Sequence, residues 1–144
     1  MSKKIYFVLL FSLLLSACGM SSKSATEITL VAQDFSYSPA TMTVPAGESI
    51  TLILKNDGKV QHDFVIEKIN VTNVIEDDNS SSGHDMGHDM SGMDYSLHVS
   101  TMPGEASTLK FTPTEAGAYE IFCSVEGHKE AGMVGKLIVS NTQQ

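Results

Sequence analysis

Residues 119–136 read Tyr-Glu-Ile-Phe-Cys-Ser-Val-Glu-Gly-His-Lys-Glu-Ala-Gly-Met-Val-Gly-Lys. Tyr119 to Cys123 has the aromatic and β-branched content of a strand, and Val134 to Val139 returns to it. Between them lies one loop. It carries Cys123, His128 and Met133, with four residues between each pair. A loop of this size, held between two strands, can bring a thiolate, an imidazole and a thioether onto one ion.

The same strand grammar extends upstream. Ile28, Leu30 and Ala32 alternate with polar neighbours, the period of a half-buried strand. Met42 and Val44 precede the turn Pro45-Ala46-Gly47-Glu48. Ile50, Leu52 and Leu54 alternate again and run into Asn56-Asp57-Gly58, where an Asx-Gly pair tolerates positive φ. Phe64-Val65-Ile66 predicts a further strand, as do Leu97 with Val99 and Leu109 with Phe111. Pro103-Gly104-Glu105 and Pro113 to Gly117 supply turns. No convincing run carries helical spacing. Seven or eight short strands with turns every eight to twelve residues predict an antiparallel sandwich or barrel.

Residues 76–94 interrupt that grammar. They hold three consecutive serines, three glycines, six acidic residues and no aliphatic core residue, so they read as an insert.

The N-terminus addresses the compartment. Lys3 and Lys4 precede an apolar run, Ile5 to Leu15, broken only by Ser12. Eleven residues are too few to cross a hydrocarbon core of about 30 Å as a helix. The run has the length of a signal-peptide core. Leu15-Ser16-Ala17-Cys18 resembles the lipobox of bacterial lipoproteins. This predicts a signal at 1–17, a lipidated and flexible tether at 18–25, and a folded domain at 26–144. Removing Lys3 and Lys4 takes the formal charge from −8 to −10. So acidic a surface excludes nucleic acid as a partner, and membrane contact is expected through the lipid alone. With Cys18 lipidated, Cys123 is left alone in an exported chain, and a metal is its natural occupant.

A fourth ligand must come from elsewhere, and His62, at the head of the strand Asp63 to Ile66, is the candidate. One thiolate and two imidazoles with a weak thioether select copper over zinc, which prefers four strong ligands, and over calcium, which prefers oxygen.

At these residues the chain resembles the cupredoxins, the small blue copper proteins. The loop is similar to that of the auracyanin and rusticyanin branch, and Gln61 to Ile66 and Cys123 to Gly135 carry the likeness. The resemblance covers about residues 26–140 apart from the insert. It implies a Greek-key β-sandwich with one type 1 copper near one end. It implies His62, Cys123 and His128 as equatorial ligands and Met133 as the axial one. His128 would be the partly exposed edge through which electrons pass. One position departs from the pattern: Asp63 stands where many cupredoxins have Asn. It can still accept the backbone bonds that join the ligand loops, but its charge favours Cu(II).

The expected function is one-electron transfer at the cell envelope by a monomer, with membrane-associated redox proteins as partners. The alternative is copper storage, delivery or resistance among copper-handling proteins. No enzyme is expected: a dinuclear copper centre needs a second loop cysteine and a multicopper oxidase needs His-x-His pairs, and both are missing. The insert repeats His-Asp-Met at 84–86 and 88–90 and adds Met93, giving His84, Met86, His88, Met90 and Met93. Thioether and imidazole together suit a weak secondary copper site, against the plain alternative of a polar low-complexity loop. His98 reads as a surface strand histidine.

Overall fold

The computed structural model describes residues 25–77 and 95–141. Cys18 and the insert residues His84, Met86, His88, Met90 and Met93 lie outside them. Ten strands are formed among the described residues: β1 (Thr26–Gln33), β2 (Ser36–Ser38), β3 (Thr41–Pro45), β4 (Ile50–Asn56), β5 (His62–Ile66), β6 (Val71–Asp77), β7 (Leu97–Thr101), β8 (Ala106–Pro113), β9 (Gly117–Phe122) and β10 (Val134–Ser140).

They make two five-stranded sheets, ordered β2-β1-β4-β8-β6 and β3-β10-β9-β5-β7. Side chains from the inner faces form one core. Leu30, Ile50, Leu52, Leu54, Leu109 and Phe111 come from the first sheet, and Phe64, Ile66, Leu97, Ile121 and Leu137 from the second. Full burial of each such side chain stabilises the fold by about 1.5–3 kcal/mol relative to exposure. The alternation read in the sequence is what produces this: apolar residues two apart share one face of a strand.

The all-β sandwich expected from the sequence is present, with three differences. Strands β2 and β6 bring the seven or eight expected to ten. β2 is only three residues long, and β6 breaks its alternation at a register shift between Thr72 and Ile75, where Asn73 has φ 54°. β6 also runs through Glu76 and Asp77, two residues into the stretch read as insert. Pairing is not wholly antiparallel, since β1 lies parallel to β4 and β10 parallel to β3. After the β1–β2 hairpin the chain alternates between the sheets until β9 and β10, so strands that become neighbours need not be joined by a turn.

Strand parity places the site. In β5, Phe64 and Ile66 belong to the core, so His62 points inward at the same end, while Asp63 faces the opposite side. Ile121 is in the core, and Cys123, two residues on, continues that direction past the end of β9. Met133 stands two residues before Gly135 and four before Leu137, on the inward side of β10. The β9–β10 ladder reaches Phe122 opposite Val134, and one further bond, from Cys123 N–H to the Met133 carbonyl (3.2 Å), brings the two sulfur residues level.

Candidate metal centre

His62, Cys123 and His128 converge at one end of the sandwich. Their donor atoms all lie within 4.8 Å of one another, and the three residues are buried. Cys123 Sγ is 3.3 Å from His128 Nδ1 and 4.0 Å from His62 Nδ1. Donors that share a first-row ion at about 2.0–2.3 Å are separated by roughly 3–4 Å, so this spacing suits one cation. Both imidazoles turn Nδ1 to the sulfur. Met133 is fully buried in the adjoining core.

The loop is folded by its own backbone. His128 N–H donates to the Val125 carbonyl (3.0 Å), and Met133 N–H to the His128 carbonyl (3.0 Å). Gly127 (φ 81°) and Gly132 (φ 100°) immediately precede His128 and Met133. Each allows the chain to reverse in a region that side chains disfavour, and each thereby aims the residue that follows it.

The electrostatics of the metal-free site act differently on the two donors. Burial, and then the Asp63 carboxylate, push the Cys123 thiol up to about 12. A thiolate there needs a compensating positive charge, and a metal supplies it. Burial, then the neighbouring His62, hold His128 below its ordinary value, so its ring is neutral and its lone pair available. The donors are soft or borderline and no carboxylate is among them, which fits copper and not a hard cation.

Asp63 acts as the clasp expected of it. Its carboxylate accepts from Ser124 N–H (2.6 Å) and Ser124 Oγ (2.5 Å), fastening the loop to β5. His98 Nε2, on β7, lies 3.5 Å from Asp63 Oδ2. Burial raises the Asp63 carboxyl, but the hydrogen bonds from His98 and Ser124 outweigh it and hold the group below its usual value. His98 is thus a partner of the clasp. The Tyr37 hydroxyl donates to the Asp63 carbonyl from beneath.

Three features escaped the sequence reading. His128 is only 7 % exposed, not the partly exposed edge expected, because the Phe35 ring meets it edge-on with centroids 4.7 Å apart. Asp34, beside Phe35, accepts a hydrogen bond from His62 Nε2 (2.8 Å). Gly58 has no positive φ, contrary to the reading of its turn. A Cβ there would come within 2.4 Å of Asp34 Oδ1 and 2.7 Å of His62 Nε2, so glycine is required for space. All three depend on the β1–β2 turn reaching a residue far along the chain, and no local pattern announces that.

The comparisons with known proteins agree with this geometry. The family described as "Cupredoxin-like domain" matches residues 5–84, a span that includes His62 and ends before Cys123. The chain is 30 % identical to the copper-resistant cuproprotein CopI of Pseudomonas aeruginosa, over 84 % of this chain and 80 % of that protein. It is 36 % identical to the chloroplastic plastocyanin of Tetradesmus obliquus, over 90 % and 72 %. The fold superposes on dithionite-reduced auracyanin from Roseiflexus castenholzii with a TM-score of 0.59 at 20 % identity, covering 81 % of this chain and 98 % of that one. By sequence, by fold and by the donors that meet at one end of its sandwich, the chain belongs to the cupredoxin-like family.

Proposed function

We propose that this protein is a mononuclear blue copper carrier of single electrons, in which His62, Cys123, His128 and Met133 would hold the ion. The observation that carries the reading is the convergence of two Nδ1 atoms on one buried sulfur, 3.3 and 4.0 Å away. A bound copper ion supplies one-electron exchange between Cu(I) and Cu(II). The chain's part is rigidity. His62 is built into a strand flanked by β7 and β9, and the loop is locked by its own hydrogen bonds and by Asp63. A frame that holds the donors in one arrangement for both oxidation states keeps reorganisation small. Phe35 and the buried surroundings exclude water from the sulfur. Copper analysis of the purified protein, with its absorption spectrum, tests the reading. One copper per chain and a thiolate-to-copper band are expected; a metal-free or colourless oxidised protein would reject it.

The cell-envelope setting belongs to the same proposal. The lipobox at Leu15 to Cys18 supports a lipid anchor on an extracytoplasmic face, with membrane-bound redox proteins as donor and acceptor. Cys18→Ala is expected to release the protein from the membrane fraction. The absence of His-x-His pairs in the sequence supports a carrier and not an oxidase.

A second reading, copper resistance or delivery, is favoured by the likeness to CopI. In it, His84, Met86, His88, Met90 and Met93 capture copper and the main site receives it. Copper stoichiometry after deletion of residues 80–94 separates the two, since a pure carrier keeps its single ion and loses nothing else.

A further inference from the structure

The outer edge of His62 is held by groups that copper ligation does not itself require. His62 Nε2 points away from the sulfur and donates to Asp34 Oδ1 at 2.8 Å. The same carboxylate is fixed from the other side: Lys59 N–H lies 3.1 Å from both Asp34 Oδ1 and Oδ2. The Asp34 side chain is 27 % exposed while the His62 side chain is completely buried, so the carboxylate is the link between the imidazole and the surface. Gly58 leaves the room for it. Any side chain there would intrude on both atoms of the pair, at 2.4 and 2.7 Å. Asn56 Oδ1 accepts Gly58 N–H (2.9 Å) and holds that glycine in place.

We propose that Asp34 is a positioning residue for the copper site: it fixes the tautomer and ring angle of His62 through Nε2, and through its charge it biases the site toward Cu(II). A histidine that binds a metal through one nitrogen is oriented and made more basic by a carboxylate on the other. The proton on Nε2 leaves the Nδ1 lone pair free for the ion. The negative charge lies one imidazole away from the metal, so it stabilises the doubly charged ion more than the singly charged one. Asp63 lies on the opposite face of the same strand and has a different task, joining the loop to β5.

The proposal rests on the copper reading above, and the experiment keeps the two apart. The full-length protein, in detergent, is titrated with Cu(II) and, without oxygen, with Cu(I), each against a chromophoric chelator. Asp34→Ala is expected to lower Cu(II) affinity by about 10–100-fold, the range found for lost outer partners of metal ligands, and Cu(I) affinity by clearly less. Asp34→Asn keeps an acceptor for Nε2–H and nearly the same volume. It is expected to retain the parent's thiolate-to-copper band while still losing Cu(II) affinity selectively. Gly58→Ala, which displaces the pair without touching the carboxylate chemically, is expected to reproduce the alanine result. Equal losses for both oxidation states in Asp34→Asn, or none, would overturn the proposal, because a scaffold residue does not distinguish the two ions. A parent protein that binds neither ion at the Cys123 sulfur would instead remove the copper reading itself.

Discussion

His62 and His128 present the same atom, Nδ1, to the same sulfur, yet the two sides of the site are held by different physics. His62 stands at the start of a strand whose five residues are all buried, between β7 and β9, with its far nitrogen anchored on Asp34. Every group that fixes it is remote in sequence. His128 sits in a loop that folds on itself through bonds spanning a few residues and through two glycines of positive φ. Its cover, Phe35, is 43 % exposed, and its own ring is the route nearest to solvent. The difference is a division of labour: one wall keeps geometry, and the other keeps geometry while staying close to solvent.

Cys123→Ala breaks the comparison altogether, since both walls face its sulfur. Complete loss of the thiolate-to-copper band is expected, with the sandwich intact by circular dichroism. An oxidised variant that is still blue would show that the sulfur is not a ligand.

The metal-free protein offers the next largest effect. The Cys123 thiol is raised from 9.0 to about 12. A group whose pKa is higher in the folded chain holds its proton more tightly there. Its contribution to stability is complete below about pH 9 and is lost as pH climbs toward about 12. The apo-protein's melting temperature is expected to fall across that window. Burial also raises the Tyr37 hydroxyl, so part of the fall should survive in Cys123→Ala. A profile identical in the two proteins would remove the thiol as its cause.

Gly132→Ala probes the loop wall alone. Nothing stands within 4 Å of the added methyl, so the cost is conformational. Chemical denaturation should show a loss of about 1–3 kcal/mol. If stability holds, the loop does not depend on glycine at φ 100°.

The smallest effect is expected of Phe35→Ala. A half-exposed ring contributes about 1 kcal/mol, near the low end for an aromatic side chain. Copper should remain bound, while electron exchange with small water-soluble reagents quickens as His128 is uncovered. An unchanged exchange rate would mean that Phe35 covers nothing of consequence.

The two walls also explain how much of the molecule is legible in the chain. Cys123, His128 and Met133 occupy one loop, and their spacing is a local signal. His62 is readable only because it heads a recognisable strand. Leu52, Leu54 and Leu109 announce their strands by alternation, whereas β6 hides behind Asn73 and its register shift. Asp34 and Gly58 look like ordinary turn residues. Their role appears only when the β1–β2 turn and the β4–β5 loop are laid side by side, and pairings of that range leave no periodic trace.

Cys123 and Met133 continue the inner faces of β9 and β10 just past the last ladder pair, where the loop begins, joined by the bond between the Cys123 amide and the Met133 carbonyl. In a strand, neighbours in sequence point to opposite faces. Were the two strands zipped one residue out of step, one of the sulfurs would be turned to the outside or left facing an empty position. A cation shared by both side chains would therefore be available only to a hairpin already closed in its correct frame.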